Sequence, residues 1–218
     1  MLLALTVLAG NLDAFSILRL GDVFVATMTG NLVFLGLAAA GAHGFDVGSS
    51  ALALGGFAIG VLIGSRAWRT ADSHRGLALR NVLAIKFWLA GAATVIAIAT
   101  GPHFPSGAQH AMIVLLAISM GAQLAVIRLL KVPDLLTVVL TMAMTGVLVE
   151  YRGGLNDPRL VRRVLSILAF VIGALIGGSL ILYVGGGVAM AFALGIIIAV
   201  AVAAHLVSRT STDWSAPR

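Results

Sequence analysis

A chain of 218 residues that is 60% hydrophobic and only 10% charged lies far from soluble domains, where about a quarter of residues carry charge. It reads as a membrane protein built almost wholly of spanning segments and short connections. The net charge of +6 falls in short clusters between apolar runs rather than along one face, which points away from nucleic acid and toward loop charges that orient the spans. Without a cysteine there is no disulfide, thiolate metal site, iron–sulfur cluster or cysteine nucleophile.

A helix needs about 20 apolar residues to cross a bilayer core, and in lipid the backbone must satisfy its own hydrogen bonds. The apolar runs at about 2–18, 23–42, 50–69, 80–100, 108–129, 134–150, 161–183 and 187–207 are therefore predicted as helices. The first has something of a signal-peptide core, but no basic residue precedes it and spans follow throughout, so it is expected to be a retained span. The sixth is short and carries Thr137, Thr141 and Thr145; it reads either as a crossing or as a segment that enters and returns. The expected architecture is all-α, a polytopic transmembrane helical bundle of seven to eight spans in one membrane domain, 1–218.

The chain also resembles itself. Phe57-Ala-Ile-Gly60-Val-Leu-Ile-Gly64 recurs 113 residues later as Phe170-Val-Ile-Gly173-Ala-Leu-Ile-Gly177, and Met28-Thr29-Gly30 recurs 116 later as Met144-Thr145-Gly146. Ile17-Leu18-Arg19-Leu20 resembles Val126-Ile127-Arg128-Leu129. An internal duplication of two four-helix halves, about 1–105 and 106–218, is the expectation.

Arg66, Arg69, Arg75 and Arg80 place the loop after the third run in the cytoplasm, while Gly101 to Gly107, without Lys or Arg, suits the outside. Lys86 is expected to snorkel back to the cytoplasmic side. The second half holds a conflict. Arg128 and Lys131, then Arg152, Arg159, Arg162 and Arg163, place both flanks of the sixth segment inside. A parallel four-plus-four repeat of eight spans is slightly preferred over seven crossings with a returning segment.

Polar residues concentrate between Gly10 and Asn31. A carboxylate inside a span costs about 2.5–3.5 kcal/mol on insertion scales, so Asp13 is expected to face a bundle interior or wet cavity and to handle ions or protons; pairing with Arg19 is the structural alternative. Asn11 and Gln123 hold neighbouring places in the two halves, as solute contacts or as amides gluing helices. On one helix Asn11 and Asp13 point about 200° apart, so both line one site only if the helix breaks at Gly10. Thr27, Thr29, Gly30 and Asn31, with Thr137, Thr141 and Thr145 in the second half, are candidates for binding a small polar solute or ion at a discontinuous helix. Threonine bonding to its own helix is the alternative. Gly56, Gly60 and Gly64, like Gly173 and Gly177, form small-residue stripes for close helix packing. Contact within the chain is the preferred expectation and a homodimer the alternative.

Enzyme signals are poor. His43, His74, His103, His110 and His205 lie in loops or near span ends, and no hydrolase, metalloprotease or phosphate-binding motif occurs. No catalytic residue, metal or cofactor is expected; the lipid bilayer is the evident partner.

Ala9-Gly10-x-x-Asp13-Ala14, Phe24-Val25-Ala26-Thr27-Met28-Thr29-Gly30-Asn31, Gly121-x-Gln123-x-Ala125 and Thr137-x-x-x-Thr141-x-x-x-Thr145-Gly146-x-Leu148 resemble the YoaK-like family of bacterial integral membrane proteins over essentially the whole chain. The chain departs from it at Gln123-Leu124, where the family usually has Gln-Asn. The resemblance implies a helical fold in a bacterial cytoplasmic membrane and names no substrate. From the residues, the expected function is a small-solute or ion transporter with a polar midplane site; the alternative is a non-transporting scaffold whose polar residues only pack helices.

Overall fold

The computed structural model describes residues 1–71, 75–101, 104–130, 140–149 and 158–210. Their elements are all helices: α1 Leu2–Arg19, α2 Met28–Ala39, α3 Val47–Thr70, α4 Arg75–Thr100, α5 Ser106–Leu129, α6 Leu140–Val149, α7 Pro158–Tyr183 and α8 Gly186–Thr210. Against the expectation of seven to eight crossings, six described helices, α1, α3, α4, α5, α7 and α8, are long and apolar enough to cross a membrane. The second run falls short because residues 23–27 are not helical, leaving α2 with 12 residues, about 18 Å.

α3 starts at a side-chain cap. Asp46 accepts from the backbone N–H of Gly48 (3.2 Å) and Ser49 (2.7 Å), taking up two of the orphan donors of a helix start. Hydrogen bonding from Ser49, by side chain and backbone, holds the Asp46 carboxyl below its ordinary range. A lowered value means that the contribution is complete above the unfolded carboxylate pKa and is lost as pH falls through the folded one. Asp46→Ala should therefore cost about 1 kcal/mol near neutral pH. In thermal unfolding the gap to wild type should narrow as pH falls below the ordinary carboxylate range.

The glycine stripes decide which helices touch. A Cβ on Gly56 would meet Val114 and Ala117, one on Gly60 would collide with the Ile118 carbonyl and one on Gly64 with that of Ala122; from the other side, Gly121 faces the Phe57 carbonyl. Contacts rise together along both helices, so α3 and α5 run in the same direction. α7 lies on α1 in the same manner, with Gly173 against the Val7 carbonyl, Gly177 against Asn11, and Gly10 against Phe170 and Ala174. Backbones this close leave no room for a side chain, which is why small residues recur every turn.

α1 and α5 are the most buried of the long helices, and α4 packs on α8, where the Thr94 hydroxyl donates to the Met190 carbonyl (3.4 Å). The ends sort onto two faces. At the first, Arg19 at the end of α1 lies over the Phe104 ring (5.1 Å) and Gln109 donates to the Leu20 carbonyl (2.6 Å). Arg19, Gly101 and Gly185 to Gly187 line a cavity of about 480 Å³ on that face. Running alongside α5, α3 begins there too. The opposite face carries the starts of α1, α4 and α7 and the ends of α3, α5 and α8.

Lys86 corrects an expectation. It does not snorkel outward: only 1% of it is exposed, because its stem runs into the α4–α5 contact and its Nζ donates to the Met120 thioether (3.1 Å).

Candidate functional site

After α1 the chain reverses at Gly21 and Asp22, whose φ values of 84° and 49° lie in the left-handed region that glycine adopts freely and aspartate tolerates. Residues 23–27 then return alongside α1 without helical structure, to the level of Asp13. That residue sits six positions before the end of α1, about 9 Å inside it. α2 starts only at Met28.

An unwound backbone in an apolar core leaves N–H and C=O groups that cost several kcal/mol each if unpaired. Here side chains pair them. One oxygen of Asp13, Oδ1, accepts from the backbone N–H of Val25 (3.0 Å) and Ala26 (2.7 Å), and the other, Oδ2, accepts a short bond from the Thr27 hydroxyl. Asn31 closes the remaining gap, accepting from the Phe24 N–H (2.9 Å) and donating to the Phe24 carbonyl (2.6 Å). Both residues are buried. Gly30 is needed because a Cβ there would lie 2.5 Å from the Phe24 ring. The polar cluster of the first two segments is thus a clasp that holds a broken helix against α1.

The other candidates are placed elsewhere. Thr29 is exposed, as are Thr141 and Thr145 on α6, where the Thr145 hydroxyl bonds back to the Thr141 carbonyl (2.9 Å). Thr137 lies outside the described residues. α1 is continuous through Gly10, so Asn11 and Asp13 do not share a site; Asn11 faces Gly177 on α7 while Asp13 faces the returning segment.

Asn11 and Gln123 are buried with both side-chain polar atoms unpartnered, and the Ser119 hydroxyl is likewise. Sequence reasoning missed Ser119 and misplaced Lys86. Ser119 was discoverable as the residue one turn before Gln123, and Lys86 as a cation in mid-span rather than at an end.

Six apolar helices of spanning length around a buried core, with a chain break tied by side chains, define a multi-pass helical membrane protein. Residues 1–203 match the family described as "Protein of unknown function (DUF1275)", and the chain belongs to that family. It is 31% identical over 184 residues to the UPF0700 transmembrane protein YoaK of Bacillus subtilis (strain 168), covering 80% of this chain and 79% of that protein. No solved structure matches it.

Proposed function

We propose that this protein passes a small solute or ion across a bacterial cytoplasmic membrane, by transport rather than catalysis, through two duplicated halves inverted relative to each other. The carrying observation is the crosswise packing. Gly60 on Ile118 corresponds to Gly173 on Val7, Gly64 on Ala122 to Gly177 on Asn11, and Gly121 on Phe57 to Gly10 on Phe170. Partners in α3 and α7 are 113 residues apart and those in α1 and α5 are 111 apart. The remaining contacts follow the same exchange: α4 on α5 mirrors α8 on α1, and α2 on α3 mirrors α6 on α7.

Among the described residues each half holds three long helices. With an odd number of crossings the second half enters the membrane from the opposite face, the arrangement of inverted-repeat transporters with interrupted helices near their sites. In this reading α2 enters from the first face and returns, and α6 does so from the second. That removes the conflict over the sixth segment, since both its flanks belong on one side. Arg66, Arg69, Arg80, Arg128, Arg159, Arg162 and Arg163 then share the second face, making it cytoplasmic.

The scaffold alternative draws support from Asp13, Thr27 and Asn31, whose bonds to the broken backbone leave them a structural role. The solute contacts in the transport reading therefore shift to the unpartnered amides Asn11 and Gln123.

Two measurements test it. Single cysteines at His43 and Ser106 should react only with an impermeant reagent added outside, and those at Val132, Asn156 and Thr212 only with one added inside. Opposite sidedness for Val132 and Asn156 would sink the inverted arrangement. In proteoliposomes, flux no greater than in empty vesicles across inorganic ions, carboxylates, amines and polyols would sink transport.

A further inference from the structure

The buried polar groups not used by the clasp include a set on the α4–α5 side of the core. Lys86 lies about 16 Å along α4 from Arg75, near the middle of that helix. Its one polar contact among the described residues is the Met120 thioether, a weak acceptor. Asp13, the other buried charge of the core, is taken up by Val25, Ala26 and Thr27.

Ser119 and Gln123 flank Met120 on α5, 0% and 2% exposed, with the hydroxyl oxygen and both amide atoms unpartnered. At 100° per residue Gln123 stands about 60° from Met120 and about 40° from Ser119 around the helix. The three share a face, and the Met120 contact turns it toward Lys86. The other face of α5 is closed by α3 through Ile118, Gly121 and Ala122.

This cluster sets three donor groups, an ammonium, a hydroxyl and an amide NH2, against one unpartnered amide oxygen, Gln123 Oε1, so donors are in excess. In an apolar interior such groups are costly unless bonded, and the charge most of all. Water alone would serve the hydroxyl and amide but leave the ammonium without a counter-charge, and a cation would be repelled. A small anion answers both needs, since it accepts from every donor present and neutralises Lys86.

We infer that Lys86, Ser119 and Gln123 form a binding site for a small monovalent anion between α4 and α5. This names the solute class for the transport reading, on which it rests. The test is thermal unfolding of the purified full chain in lipid nanodiscs, titrated with sodium chloride, nitrate, formate or acetate in exchange for gluconate at constant sodium. At least one of these anions should raise the unfolding temperature saturably. Lys86→Met, which keeps the length of the stem, should weaken that anion at least about tenfold; Gln123→Leu should weaken it severalfold; and Lys86→Arg should keep a response.

Removing a buried ammonium also changes baseline stability, so the quantity read is the anion-dependent shift within each variant. A wild type indifferent to all four anions overturns the site, as does a saturable shift that both Lys86→Met and Gln123→Leu retain. Saturable binding lost in Lys86→Met, with no flux of that anion or of any other solute in the panel above, upholds the site and removes the transport reading. Flux of a neutral solute or cation without anion binding does the reverse.

Discussion

Asp13→Ala is expected to release the segment from Val23 to the start of α2 and to destabilise the protein by about 4 kcal/mol. The carboxylate accepts from Val25, Ala26 and Thr27 in the core. Each donor stranded there costs about 1–3 kcal/mol, with incomplete additivity because the segment relaxes once freed. For a chain of this size that corresponds to a fall of about 10 °C in the unfolding temperature. Asp13→Asn retains one carbonyl acceptor and should lose about half as much. An Asp13→Ala protein within about 1 kcal/mol of wild type would show that the clasp is not what holds the broken helix. The same geometry changes how activity data on Asp13 must be read. Loss of transport in the alanine variant follows from loss of structure; only an asparagine variant that folds yet fails in a pH-dependent manner would point to proton handling.

The second large effect concerns the glycine contacts. Gly60→Val and Gly173→Val place a β-branched side chain against the backbone carbonyls of Ile118 and Val7, and neither carbonyl can move without its helix. Each substitution should cost more than about 4 kcal/mol, the range of severe overpacking, and should abolish recovery of folded protein from membranes. Gly55→Ala in α3 and Gly195→Ala in α8 meet nothing within 4 Å and should be neutral or stabilising by up to about 1 kcal/mol, the helix-propensity gain. Folded yield and unfolding temperature decide the matter. If Gly173→Val behaves like Gly195→Ala, α7 is not seated on α1 as described. Matching losses at Gly60 and Gly173 would further support two equivalent halves.

Much of the architecture was legible from local information. Apolar run length located the six long helices, because a bilayer core sets a minimum span whatever surrounds it, but it equally offered 23–42, where the helix has only 12 residues. Small residues at every fourth position announced close helix contacts, and the concentration of polar residues from Gly10 to Asn31 marked a place where the chain does something unusual. What it does there was not legible. A helix and a broken helix have the same composition from Val23 to Thr27, and the difference rests on Asp13, ten or more residues earlier, replacing the missing backbone partners.

Partner choice was equally closed to local reading. A stripe on α3 states that some backbone comes close, and only the three-dimensional arrangement selects α5 for α3 and α1 for α7. That choice also sets the running directions of the helices. Lys86 makes the same point for the candidate site. By sequence it is a cation with a stem long enough to reach an interface. Packing turned it inward, and there the energetics reverse: a charge that costs little at a headgroup needs a counter-charge in the core. Sequence by itself determined that this protein lies in the membrane and marked most of the residues that are out of place in it, Ser119 excepted. Tertiary structure decided which of those residues are satisfied by the chain and which are left open, because hydrogen-bond satisfaction depends on neighbours in space and not on neighbours in sequence.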